Sequence, residues 1–302
     1  MPSRTTSYSL ERTKRNAGLA MVLPSLALLT VFVLCPIVYS LALSLFNSNL
    51  LTNETTFAGV DNYVQMFGDD RFWNALANTL LFSLAYVPAL LILALVLALG
   101  LNTTAPGHKA FQMIYFLPAL TSLAIVAIVW RFLLDGDIGM ISLWLKSLGM
   151  KVTDPLRDTG TAMATVVSVS VWRWAGFNMI ILLAGLKAIP AEMYEAASMD
   201  GAGVVRKFFS VTLPLLLPNL SFVFLTNLIA SFQVFDQVYV MTKGGPLFAT
   251  ETLVYYTYYN AFNLFEMGYA SAMALFLFLI ILIFTVFQLR MYTQAEKDRG
   301  FA

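Results

Sequence analysis

The chain has 302 residues, 59% hydrophobic and 12% charged, with a formal net charge of +1. A soluble chain carries about 25% charged residues, so a solvated surface all round is excluded and the composition is that of a polytopic membrane protein. The near-neutral balance offers nothing to a nucleic acid. A single Cys and a single His rule out a disulfide framework and argue against a structural zinc site.

Residues 1–16 are polar and basic without apolar periodicity, and are expected as a cytoplasmic tail. Six apolar runs follow: Ala17–Phe46, Asn74–Leu101, Phe111–Leu134, Ala162–Leu186, Leu213–Met241 and Met267–Tyr292. Each exceeds the roughly 20 residues that cross about 30 Å of hydrocarbon. The first is longer than the ~7–15 residues of a signal-peptide core, so it is read as an uncleaved span, with Cys35 as a small packing residue. Pro24, Pro36, Pro88 and Pro118 fall within or at the ends of runs and are read as packing kinks. The predicted fold is an all-α membrane protein of six transmembrane helices, 17–292, with a helical cytoplasmic loop at 189–213 between the fourth and fifth spans and a tail at 293–302. The 135–160 connection, rich in Gly and Asp, suits a short hairpin or small helix.

Basic residues set the orientation. Arg4, Arg12, Lys14, Arg15, Lys109, Lys187, Arg206, Lys207, Arg290, Lys297 and Arg299 fall on one side; Arg71, Lys146, Lys151, Arg157 and Lys243 fall on the other, whose connections are acidic. Both termini and the 189–213 loop are therefore expected in the cytoplasm.

That loop is the most informative segment. Ile189-Pro190 ends the fourth span and opens a helix, since proline suits a first turn. Glu192 and Glu195 lie three apart near the helix N-terminus, where the macrodipole favours anions. Asp200-Gly201 breaks the helix, with glycine free to take the left-handed conformation. A second helix is expected from about Gly203 until Pro214 stops it. By itself this is an amphipathic helix–turn–helix on the membrane surface.

Glu195-Ala-Ala-Ser-Met-Asp-Gly-Ala202, followed by an apolar run and Leu213-Pro214, resembles the signature loop of permease subunits of binding-protein-dependent ABC importers. Trp172-Arg-Trp-Ala-Gly-Phe177, Leu183-Ala-Gly-Leu186, Phe235-Asp-Gln-Val-Tyr239, Thr242-Lys-Gly-Gly-Pro246 and Phe57-Ala-Gly-Val-Asp-Asn-Tyr63 are similar to elements of the maltose-type carbohydrate-uptake branch, which also holds importers of glycerol-3-phosphate and other polyols. The resemblance implies that the loop carries a coupling helix docking on an ATPase, with Glu195 and Gly201 as coupling residues and Ala196, Ala197, Asp200 and Ala202 around them. It implies a second homologous permease, two ATPase subunits and an extracytoplasmic solute-binding protein as partners, in a bacterial cytoplasmic membrane. ATP and Mg would be bound by the ATPase chains, none by this one.

An ionisable group inside a span is a functional candidate. Arg173 lies near the middle of the fourth span between Trp172 and Trp174. It suits a polyhydroxylated ligand, an anionic head group or an ion pair within the bundle. The resemblance places Ser170, Arg173, Trp174, Phe177, Asn227 and Ser231 at or beside the positions that line the sugar path. Asn227 and Ser231 share a helical stripe. Asp236, nearer the outer end of the fifth span, falls on the opposite face and is expected as an ion-pair or gating residue in preference to a sugar ligand. Tyr255, Tyr256, Tyr258 and Tyr259 are expected at the membrane interface. A secondary, ion-coupled solute transporter is the alternative function. It would call for paired intramembrane acids or repeated halves, whereas the spans hold Asp236 and no repeat. An intramembrane enzyme would need a constellation that the sole His108, in a short turn, does not provide.

Overall fold

The computed structural model describes residues 4–49, 51, 54–149 and 153–298. Lys151 and Arg299, counted in the charge balance, lie outside them. The chain forms two compact units, residues 1–66 with 260–275 and residues 67–259 with 276–302.

In the first unit, α1 (Arg4–Leu29) passes through a π turn at Thr30–Leu34 into α2 (Cys35–Leu43). The apolar part of this rod is Asn16–Leu43. Helix therefore begins at Arg4 rather than at Ala17, because residues 4–16 contain neither Gly nor Pro to stop it. The π turn answers Pro36. A proline lacks the amide hydrogen and its ring crowds the carbonyl four residues back; the Cys35 amide instead reaches Thr30 O, five residues back, which widens the turn just ahead of the ring. A hairpin follows, β1 (Phe46–Asn49) against β2 (Glu54–Phe57), antiparallel with Phe46 opposite Phe57. Then comes α3 (Asp61–Phe67). The F-A-G-V-D-N-Y segment brackets the hairpin base. Gly59 turns the chain at φ 58°. Buried Asn62 donates to Ser44 O at 2.8 Å and Phe46 O at 3.0 Å, and the Tyr63 and Ser44 hydroxyls meet at 2.8 Å.

The second unit contains α4 (Asp70–Leu101), α5 (His108–Leu120), α6 (Leu123–Leu134), α7 (Met140–Ser147), α8 (Ala162–Ala188), α9 (Ala191–Met199), α10 (Val204–Lys207), a π turn at Phe208–Thr212, α11 (Leu213–Phe232), a second π turn at Val238–Thr242 and most of α12 (Leu253–Phe262). The last described helix is α13 (Met267–Asp298), which continues through 293–298 beyond its apolar part, Met267–Met291. Its Gln, Ala, Glu and Lys are good helix formers. Core residues Ala94 and Ala98 of α4, Met179, Leu182 and Leu186 of α8, and Leu216 and Val223 of α11 pack as one cluster.

Among the described residues, five helices are long and apolar enough to cross a membrane: Asn16–Leu43, Asp70–Leu101, Ala162–Ala188, Val204–Phe232 and Met267–Met291. The expected third span is not one helix. α5 and α6 meet at 99°. With 13 and 12 residues, each half rises about 20 Å, short of the ~30 Å needed. Thr121 and Ser122 are extended at the break, and the Thr121 hydroxyl donates to Pro118 O at 2.7 Å, a side-chain bond that competes with helix. The fifth span is shifted. It starts at Val204 and ends at Phe232, not Met241. Pro214 does not stop it, because the Phe208–Thr212 π turn sits immediately before that proline, with the Leu213 amide bonded to Phe208 O.

At the end of this unit opposite the 189–213 loop, Arg71 binds Glu251 through Nε and Nη2, both at 2.8 Å. Glu251 is fully buried. Phe248, Tyr256 and Tyr259 surround the guanidinium, with centroids 4.2–4.8 Å away. Asp69 caps α4 and accepts the Tyr256 hydroxyl at 2.6 Å. The tyrosine run is thus packed inward rather than interfacial, with Tyr255 and Tyr256 both buried.

α5 lies directly on α8 at Gly176, where a Cβ would overlap the Tyr115 carbonyl. Small residues permit such backbone approach between membrane helices. Gly176→Leu should separate the two helices, lowering the yield of folded protein and its thermal midpoint in detergent. Overpacking of this kind costs about 1–3 kcal/mol or more.

Candidate functional site

The 189–213 loop is a locked, exposed helix. Ile189 and Pro190 are extended between α8 and α9. α9 closes with a paired C-cap: Ala202 N–H reaches Ala197 O at 2.9 Å and Gly201 N–H reaches Ser198 O at 3.0 Å. This six-to-one and five-to-two pattern needs a left-handed residue after the cap. Gly201 provides it at φ 72°, with nothing within 4 Å of an added Cβ, so its constraint is backbone conformation and not packing. Glu192, Glu195, Ala196 and Asp200 are exposed, while Ala197 and Ala202 are half-buried. Met199 is 89% exposed, and Val204 and Val205 are exposed beside it.

Two side-chain bonds fix α9 to the foot of the next span. Lys207 Nζ donates to Ser198 Oγ at 2.7 Å, and the Tyr194 and Thr212 hydroxyls meet at 3.1 Å. Thr212 belongs to the π turn that leads into α11. α9 is thus fastened to the start of α11.

The second locus lies midway along α8. Arg173 is 6% exposed and faces the packed interior. Its Nη2 donates to Thr121 O at 2.7 Å, at the α5–α6 break. The Trp174 ring lies 4.3 Å from the guanidinium. Nε and Nη1 have no hydrogen-bond partner among the described residues. Phe177 meets Trp174 edge-on at 5.8 Å and stacks on Phe116 at 6.4 Å. Ser170 is buried and bonds back to Val166 O.

Asn227 and Ser231 are buried on α11, facing α4 and α8. Asn227 accepts from the Tyr86 hydroxyl at 3.2 Å and donates to Asn178 Oδ1 at 2.8 Å; Ser231 donates to Ser83 at 2.9 Å. Asn178 closes onto Trp174 O at 2.9 Å. The structure thus links Trp174, Asn178, Asn227 and Tyr86 in one polar chain across three helices. Sequence reading missed Tyr86, Asn178, Ser83 and Thr121. Asn178, four residues after Trp174 on the same face, was the one with a usable signal.

Asp236 departs from expectation. α11 has ended at Phe232, so the helical angle between Asn227 and Asp236 does not apply. Residues 233–235 are unwound, and the Val234 carbonyl is answered by the Thr252 hydroxyl at 3.0 Å. Asp236 is exposed and forms no ion pair among the described residues.

Residues 67–293 match the model of a family described as binding-protein-dependent transport system inner membrane component. The chain is 35% identical over 271 residues to the sn-glycerol-3-phosphate transport system permease protein UgpA of Yersinia pestis, covering 89% of this chain and 92% of that one. It is 38% identical over 276 residues to the probable ABC transporter permease protein YesP of Bacillus subtilis, covering 89% and 88%. Among solved structures, a bacterial alginate ABC transporter, in complex with alginate pentasaccharide-bound periplasmic protein, contains a chain that superposes with a TM-score of 0.83 at 24% identity, covering 95% of this chain and 98% of that one.

Two outcomes follow from this geometry. A left-handed β-branched residue is costly, about 1–2 kcal/mol or more, so Gly201→Val should loosen the α9 cap. Gly201→Asn should be tolerated, and amide hydrogen exchange at Gly201 and Ala202 reads the difference. Arg173→Met should leave Thr121 O unanswered, at about 1–3 kcal/mol, and increase proteolysis at the 121–122 break.

Proposed function

The chain belongs to the binding-protein-dependent inner-membrane transport components, and from that premise we propose how its parts serve an ATP-driven importer. It is a permease subunit of the sugar and glycerol-phosphate type, a transport component and not an enzyme. The α9 loop is the docking surface for an ATPase subunit, with Glu195 and Ala196 presented to it, Met199 and Val204 as apolar contacts, and Gly201 holding the turn. The observation that carries this reading is the loop itself. An exposed, doubly capped helix presents E-A-A-S-M-D-G-A away from the bundle and is bonded to the foot of α11.

ATP and Mg belong to two partner ATPase chains. Closure of those chains turns α9, and Lys207–Ser198 and Tyr194–Thr212 carry the motion into α11. α11 bears Asn227 and Ser231, and α8 bears Ser170, Arg173, Trp174 and Phe177. Their relative movement opens the path alternately to each side. A second permease completes the path, and an extracytoplasmic binding protein delivers a sugar, polyol or glycerol-phosphate-type solute. The excess of Lys and Arg on the α9 side supports placing that loop and both termini in the cytoplasm. A secondary transporter finds no support: the one acid of the expected spans, Asp236, stands beyond the end of α11 in a separate helical turn.

The reading is tested by reconstituting the chain with its partners in proteoliposomes and measuring which loaded binding protein stimulates ATP hydrolysis. A chain that transports without any ATPase refutes it. Glu195→Lys should uncouple or disassemble the complex while the membrane fold persists. Breaking a buried interfacial charge pair costs roughly 2–5 kcal/mol, enough to lower transport at least tenfold. Normal transport by this variant at normal expression would remove Glu195 from the mechanism.

A further inference from the structure

The break after α11 gathers aromatic rings around a carboxylate. Phe235 stacks on Tyr239 at 5.3 Å, and Tyr258 lies 5.0 Å from Phe235 and 5.5 Å from Tyr239, edge-on. Tyr255 backs the group, 6.4 Å from both Phe235 and Tyr239. The cluster exists because residues 233–235 unwind and the chain restarts as a helical turn that runs into the π turn at Val238–Thr242, which sets Phe235 and Tyr239 four apart on one face. It is not sealed: Tyr239 is 42% exposed. Asp236, between the two rings in sequence, is exposed and has no hydrogen bond or ion pair among the described residues.

The cluster thus sets aromatic faces beside an exposed, acceptor-only carboxylate.

We propose that Phe235, Asp236, Tyr239 and Tyr258 form a binding subsite for a neutral, hydroxyl-rich solute, at the end of the path opposite the α9 loop. The inference rests on the importer reading and narrows its cargo. A sugar ring stacks its C–H face on the aromatic rings, while its hydroxyls donate to Asp236 in charge-assisted bonds. A phosphorylated or uronic solute meets the Asp236 carboxylate as a like charge. Neutral cargo is therefore favoured over acidic cargo at this position.

The test uses the complete complex with its ATPase in nanodiscs, without the binding protein. Intrinsic fluorescence is followed while maltose, glucose and glycerol are titrated as neutral probes, and sn-glycerol 3-phosphate and glucuronate as anionic ones. At least one neutral probe should saturate, and below the midpoint of either anion. Asp236→Asn should weaken the neutral probe about tenfold, the loss of a charge-assisted bond, and should improve binding of the anions by removing the like charge. Tyr239→Leu, which keeps an apolar group in place, should weaken the neutral probe with no gain for the anions. Asp236 has no partner whose loss would unfold the chain, and Asp236→Glu should restore part of the neutral response. Tighter binding of an anion by the unaltered complex, no saturation by any neutral probe, or neutral titrations unmoved by both variants would each overturn the subsite while the complex still hydrolyses ATP. A chain that purifies with no ATPase would instead bring down the importer reading beneath it.

Discussion

Inside a membrane every backbone amide and carbonyl must find a partner within the protein, because no water is there to supply one. This constraint governs where the helices of this chain can be interrupted. At the α5–α6 break, Arg173 reaches across from α8 to bind Thr121 O. After α11, Thr252 answers the carbonyl of Val234. Before Pro36 and Pro214 the helix widens into a π turn, with amides bonding five residues back. Each interruption is held by a particular group, and Arg173 and Asp236, candidates from the sequence, lie at or beside two of them.

Arg173 joins structure and function most directly. A mid-span guanidinium costs about 2.5 kcal/mol upward if it faces lipid. Here it faces inward, bonds the exposed end of a broken helix and lies against Trp174, with two donors left over. The polar chain from Trp174 through Asn178 and Asn227 to Tyr86 ties α8 to α11 and α4. The same α11 begins at the loop where α9 is fastened by Lys207 and Thr212. Loop and interior are thus joined through α11, and the left-handed Gly201 holds the α9 cap.

Much of this was legible in the sequence. Apolar length located α4, α8 and α13, and the E-A-A to L-P spacing located the α9 loop with its break at Gly201. The burial of Arg173 followed from the cost of charge in hydrocarbon. Three things were not legible. The α5–α6 bend falls inside an unbroken apolar run, where Thr121 and Ser122 carry only a weak local signal and the stabilising donor comes from 52 residues away. The end of α11 has neither Gly nor Pro in S-F-Q-V-F-D; it is set by Thr252, so the helical wheel ran past the true terminus and misplaced Asp236. Pro214 gave a strong stop signal, but the π turn before it absorbed the conflict. In the first two cases a tertiary partner overrode a local preference, and at Pro214 a local π turn did; each time the helix end moved while the helix itself stayed.

The account's central claim is that the α9 loop is where this permease receives the work of ATP hydrolysis. The most direct measurement is site-specific cross-linking from Met199→Cys, in a Cys35→Ser background, within the complex assembled in native membranes. The account predicts a cross-link to an ATPase chain whose yield changes when ATP is added and Mg is withheld. A cysteine at this position that captures no nucleotide-binding chain, in membranes where transport is intact, would contradict it.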